Sequence, residues 1–139
     1  MLPNMLKTVL SLTWLGLLMT GMLPAYAGDE VVVGDIQFVK EKGGIERVCF
    51  LLNPFCSPKV FSLEGTHPRI VIDIMNVHSW KGKPKMPVEG VLIRQVRTHF
   101  HSDKNKLRIV LDLMPSMDYT AEPFYYKAEG IYCMAVSGK

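Results

Sequence analysis

The sequence has 139 residues, 48% hydrophobic and 21% charged, with a formal net charge of +3. A chain of that size makes one domain that buries roughly two-thirds of its unfolded surface, and the near-neutral balance excludes the basic footprint of a nucleic-acid binder. Three cysteines, Cys49, Cys56 and Cys133, leave open one disulfide plus a free thiol, or buried thiols acting as small hydrophobes.

Residues 1–7 are weakly basic, residues 8–23 are almost wholly apolar and uncharged, and Pro24-Ala25-Tyr26-Ala27 follows. Ala25 and Ala27 form the A-x-A pattern of a signal-peptidase site, which predicts a signal peptide over 1–27 and cleavage before Gly28. An uncleaved anchor is the competing reading, but the apolar run falls just short of a comfortable membrane span. No cysteine lies near the junction to carry a lipid. The exported domain is then 28–139, with no membrane attachment, and loss of Lys7 lowers its charge to +2.

From Val31 a strand pattern runs through Val33, Ile36, Phe38 and Val39 to a turn at 40–44, where Gly43-Gly44 supplies positive φ and marks a hairpin tip. The return strand, 45–52, places Val48, Phe50 and Leu52 on one face and Arg47, Cys49 and Leu51 on the other. Asn53-Pro54 ends it, because proline lacks a ladder donor. A short strand over 59–63 and a turn over 64–68 lead to Arg69-Ile70-Val71-Ile72-Asp73-Ile74-Met75. This heptapeptide returns 39 positions later as Arg108-Ile109-Val110-Leu111-Asp112-Leu113-Met114. Both copies alternate with period two, the signature of a strand buried on one face. Between them, 76–90 is a long loop without periodicity, 91–98 a strand and 99–105 a turn. Pro115 closes the second copy, and 119–126 and 131–136 are the last two strands.

Eight strands thus fall in two runs of four. Arg47 and Arg108 lead corresponding strands 61 positions apart, and Pro54 and Pro115 follow them at the same offset. Such a repeat suggests a duplicated four-strand unit. Two antiparallel sheets, each with one apolar face, must stack on each other. The expected fold is an all-β sandwich of two similar four-stranded sheets with internal pseudo-twofold symmetry. If the two heptapeptide strands are antiparallel neighbours with residue numbers summing to 181, Arg69 stands beside Asp112 and Arg108 beside Asp73.

Three stretches resemble the AMIN domain, the envelope-targeting module of cell-wall N-acetylmuramoyl-L-alanine amidases and type IV pilus secretins. They are Glu46-Arg47-Val48-Cys49-Phe50-Leu51-Leu52, Pro68-Arg69-Ile70-Val71-Ile72-Asp73, and Val96-Arg97 followed by Leu107-Arg108-Ile109-Val110-Leu111-Asp112-Leu113. Together they extend from about Val33 to Val136. The glycine usual after the Ile-Arg pair is replaced by Thr98-His99-Phe100, and no second domain follows Lys139 in this sequence. The resemblance implies a non-catalytic periplasmic module that docks on peptidoglycan, with a protein partner such as a secretin or amidase as the alternative.

The residues carry no enzyme signature. His99-x-His101 is the one close pair of histidines, no zinc-hydrolase spacing accompanies it, and neither a nucleophile elbow nor a phosphate loop is present. No cofactor or metal is therefore expected. For binding, Trp80 with Lys81, Lys83 and Lys85 offers an aromatic ring and cations from one loop. Arg69, Arg97 and Arg108 offer guanidinium forks for carboxylates from ordered strands.

Overall fold

Residues 29–139 are described by the computed structural model, so the expected signal peptide lies outside the described residues. Every regular element among them is a strand. The first five are β1 (Val32–Val33), β2 (Gln37–Lys40), β3 (Glu46–Asn53), β4 (Lys59–Leu63) and β5 (Arg69–Met75). The second five are β6 (Lys85–Pro87), β7 (Ile93–His101), β8 (Lys106–Leu113), β9 (Tyr119–Tyr126) and β10 (Ile131–Gly138). They make two antiparallel sheets, β1-β3-β10-β9 with β2 also paired to β3, and β4-β5-β8-β7-β6.

Alternation puts Val48, Phe50 and Leu52 of β3 and Tyr132, Met134 and Val136 of β10 inside the first sheet. Ile70, Ile72 and Ile74 of β5 and Leu107, Ile109 and Leu111 of β8 line the second, and all of these join one buried cluster. One core shared by two sheets is a sandwich, as the alternating pattern required. The Gly43-Gly44 tip has φ of 83° and 76°, the left-handed conformation the hairpin needs.

Three details differ from expectation. Each sheet has five strands, not four, because the first strand breaks in two and a short β6 forms inside the 76–90 loop. The break falls at Gly34, whose amide donates to Leu51 O at 3.0 Å and whose missing Cβ would sit 2.9 Å from Leu51 Cβ. β7 also runs on through His101, since Thr98, His99, Phe100 and His101 keep the in-out alternation, so the turn shrinks to four residues.

The third difference concerns the runs. Neither sheet is one run of four; each takes one hairpin from each run. The exchange sets the most apolar strands, β3, β10, β5 and β8, in the middle of the sheets, where both edges are paired. What the topology carries is an equivalence of strand order. An offset of 61 positions lays β2, β3, β4 and β5 on β7, β8, β9 and β10, and the path β2-β3-β10-β9 then becomes β7-β8-β5-β4.

Two links cross between distant parts of the chain. Cys49 of β3 faces Cys133 of β10 and forms a disulfide with it over a separation of 84 residues, leaving Cys56 free. The second link joins the sheets. Glu46 shares the inward register of Val48 and Phe50 and is only 3% exposed. Its carboxylate accepts from three consecutive amides at the start of β7: Val91 N at 2.8 Å, Leu92 N at 3.0 Å and Ile93 N at 2.9 Å. Gly90 makes room for this, because a Cβ there would lie 2.2 Å from Ile93 O and 2.5 Å from Glu46 Oε1.

Glu46→Ala is expected to destabilise the domain by about 3 kcal/mol or more, since it strands buried donors at about 1–3 kcal/mol each. Reduction of Cys49–Cys133 is expected to cost about 2–4 kcal/mol. Urea denaturation, with and without reductant, measures both.

Candidate binding face

The outward residues of the second sheet form cross-strand rows. Leu63, Arg69, Asp112 and Gln95 make one; Phe61, Val71, Val110, Arg97 and Lys85 the next; Lys59, Asp73, Arg108 and His99 a third. Seven lysines and arginines stand on these strands, counting Arg94 and Lys106, against two aspartates, so the face is a local concentration of positive charge. Val71 and Val110 are buried even on this outer side, at 3% and 7% exposure. The long side chains around them cover them with their aliphatic stems.

The register sum of 181 holds along β5 and β8: Arg69 lies opposite Asp112, and Asp73 opposite Arg108. Arg108 grips Asp73 with both prongs, Nε to Oδ1 at 2.8 Å and Nη2 to Oδ2 at 2.9 Å. That hydrogen bonding holds the Asp73 carboxyl below the usual aspartate range despite its burial, and Lys106 and Lys59 add to the effect. The Arg108 guanidinium also lies 5.7 Å from the centre of the Phe61 ring.

Asp112 is claimed by the third strand instead of by Arg69. Arg97 of β7 donates to it at 2.6 and 2.9 Å, and Gln95 Nε2 at 2.7 Å. Burial pushes the Asp112 carboxyl up, but the bonds from Arg97 and Gln95 outweigh it and its pKa is lowered. Arg69 is left donating Nη1 to its neighbour His67 O at 3.1 Å.

Of the seven side chains expected to bind, Arg69, Arg97, Arg108 and Lys85 share this face. Trp80, Lys81 and Lys83 sit apart on the flank of the sandwich. There they line a cleft of about 350 Å³ with Asp35, Ile36 and Met86. Trp80 Nε1 donates to Thr98 Oγ1 at 3.1 Å, and that hydroxyl donates to Lys83 O at 2.9 Å. The Gly82 backbone lies so close to the indole that a Cβ there would be 2.1 Å from Trp80 Cζ2. Half-buried against the core, Trp80 closes the open side of the sandwich while the three lysines stay exposed.

His99 and His101 project from the same face with ring centres 4.2 Å apart. Partial desolvation, then His99 and the cations Lys106, Lys104 and Arg108, lower the His101 pKa. Those cations also oppose a metal ion, and among the described residues no three His, Cys, Asp or Glu side chains gather where they could hold one. The outer face of the first sheet has another chemistry. It presents the disulfide, Leu51, Phe124 and Tyr126 around Arg47, which donates to Tyr126 Oη at 2.7 Å and lies 3.2 Å from Glu41.

Arg94 was missed from the sequence. It occupies a β-bulge between Ile93 and Gln95 and turns outward beside Arg69 and Arg97. A signal was present: Ile93 and Val96, three apart, cannot both face inward in a strand of strict period two without an extra residue between them.

Both aspartates have folded pKa values below their unfolded ones. Their contribution to stability is therefore complete above the ordinary aspartate value of about 4, and is lost as the pH falls below it through the depressed folded values. Denaturation midpoints are expected to drop more steeply between neutral and acid pH for the wild type than for Asp73→Asn, which has already lost one of the carboxylates.

The chain matches the family model described as the AMIN domain over residues 35–130, which takes in all but the ends of the described fold. No curated protein matches it.

Proposed function

Because the chain belongs to the AMIN domain family, whose members are envelope-targeting and in general non-catalytic modules, we propose that it is an exported module that docks on peptidoglycan. The observation that carries this reading is the cationic outer face of the second sheet, set on rigid strands. Peptidoglycan stem peptides present carboxylates, and guanidinium forks held by a sheet meet them with little loss of side-chain freedom. The disulfide supports an oxidising compartment, in keeping with cleavage before Gly28 and release into the periplasm.

Lys81, Lys83 and Lys85 extend the same positive field toward the flank. Trp80 contributes by fixing their loop, since its ring is occupied by Thr98 and Gly82. A second reading, docking to a secretin or an amidase, has its own motivation. β4 is a five-residue edge strand without proline, whereas the edge strands β9 and β6 carry Pro123 and Pro87 and the remaining edge is divided between the shorter β1 and β2. Such an open edge is where a partner strand can add.

Sedimentation with purified sacculi tests the first reading: the mature protein is expected in the pellet, and its recovery in the supernatant would exclude wall docking. Replacing Lys81, Lys83 and Lys85 together with alanine is expected to reduce retention severalfold, more so at low salt, with an unchanged unfolding midpoint. Cross-linking in cells to one protein, unaffected by digestion of the wall, would favour the second reading.

A further inference from the structure

At one corner of the cationic face, three arginines surround a hollow of about 200 Å³. Arg69 opens β5, Arg97 lies within β7, and Arg94 comes from the bulge. The bulge is what assembles them. In an unbroken strand with Ile93 inward, Arg97 would also point inward. The extra residue lets Ile93 and Val96 enter the core while Arg94, Gln95 and Arg97 all stay outside. Bulges of this kind re-aim side chains, and Glu46 pins the three amides immediately before this one.

Charge within the cluster is unevenly met. Arg97 is matched by Asp112, whose two oxygens are both engaged by Arg97 and Gln95. The Arg69 side chain has only a backbone carbonyl, and the Arg94 side chain has no hydrogen bond or ion pair among the described residues, although its charge helps lower the Asp112 pKa. Two guanidinium groups therefore face the hollow without a carboxylate paired to them, since Asp112, which also lines it, is bonded to Arg97 and Gln95.

We infer that this hollow is a carboxylate-binding subsite, in which Arg69 and Arg94 grip an acidic group of a peptide beside the fixed Arg97–Asp112 pair. The inference rests on the wall-docking reading and names the group that is held. The volume is below the roughly 300–1,000 Å³ of a pocket for a whole small molecule, so it suits one functional group at the end of a larger chain. A planar two-oxygen acceptor fits the arginine fork. Asp112 at the rim disfavours a doubly charged phosphate more than a singly charged carboxylate.

The test is a binding titration with a soluble stem peptide bearing free carboxylates, the same peptide with its carboxylates amidated, and inorganic phosphate as competitor. The paired variant Arg69→Gln with Arg94→Gln is compared with Lys42→Gln with Lys127→Gln, which removes equal charge from exposed positions elsewhere. The arginine pair is expected to weaken binding of the free acid at least about tenfold, equivalent to about 1.4 kcal/mol, while the lysine pair changes little. Amidation is expected to weaken binding to the wild type by a similar factor. Arg94→Lys, which keeps the charge but loses the fork, is expected to recover only part of the affinity.

Equal binding of the acid and amidated peptides, equal losses from the two paired variants, or phosphate competing as well as free carboxylate would each overturn the subsite. Sacculi separate this from the broader reading. Wild-type protein that sediments with sacculi while the arginine pair loses nothing leaves docking in place without the subsite. Peptide binding that depends on Arg69 and Arg94, without sedimentation, leaves the subsite without docking.

Discussion

A single buried carboxylate sets the relation between the two sheets. Glu46 begins β3 in the inward register, and nothing apolar could satisfy the three amides of Val91, Leu92 and Ile93 that it receives. Unmet, those donors would each carry a desolvation cost. Met, they fix where β7 begins, and with it the bulge and the direction of every outward side chain that follows. The geometry of the basic face is therefore set from the opposite sheet, and Gly90 is the small residue that allows the approach.

On that face the arginines divide by partner. Arg108 and Arg97 are held in bidentate pairs with Asp73 and Asp112, which gives them fixed positions and restricts their freedom to grip anything else. Pairs at a partly wet surface contribute modestly to stability; their larger effect is to hold register along β5, β8 and β7. Arg69 and Arg94, by contrast, keep their charge available. A scaffold of satisfied ion pairs around a few unsatisfied cations presents charge without spreading it over mobile side chains.

Much of this was legible in the chain. The repeated heptapeptide carried both the strand identity and the antiparallel register, and Arg108 does meet Asp73 as that register requires. Arg69 does not meet Asp112, because a two-strand register contains no information about the third strand that supplies Arg97 and Gln95. β6 was hidden by its length: three residues between Pro84 and the glycine at 90 are too few to show a period. The disulfide needed β3 and β10 to be neighbours, a fact set by the exchange of hairpins and absent from any local pattern. Glu46 could have been singled out, since a charged residue in the same parity as Val48, Phe50 and Leu52 must find buried partners. Arg94 could have been found from the broken parity of Ile93 and Val96.

The exchange of hairpins also governs how the domain is assembled. β3 has β10 as its neighbour, and β5 has β8, so neither central pair is complete within the first half of the chain. A polypeptide delivered with its amino end leading holds β2 and β3 as an open hairpin until its final strand arrives. Pairings across such long separations are slow to form. The first sheet cannot close, nor the Cys49–Cys133 bond form, until the segment that carries β10 is available to β3.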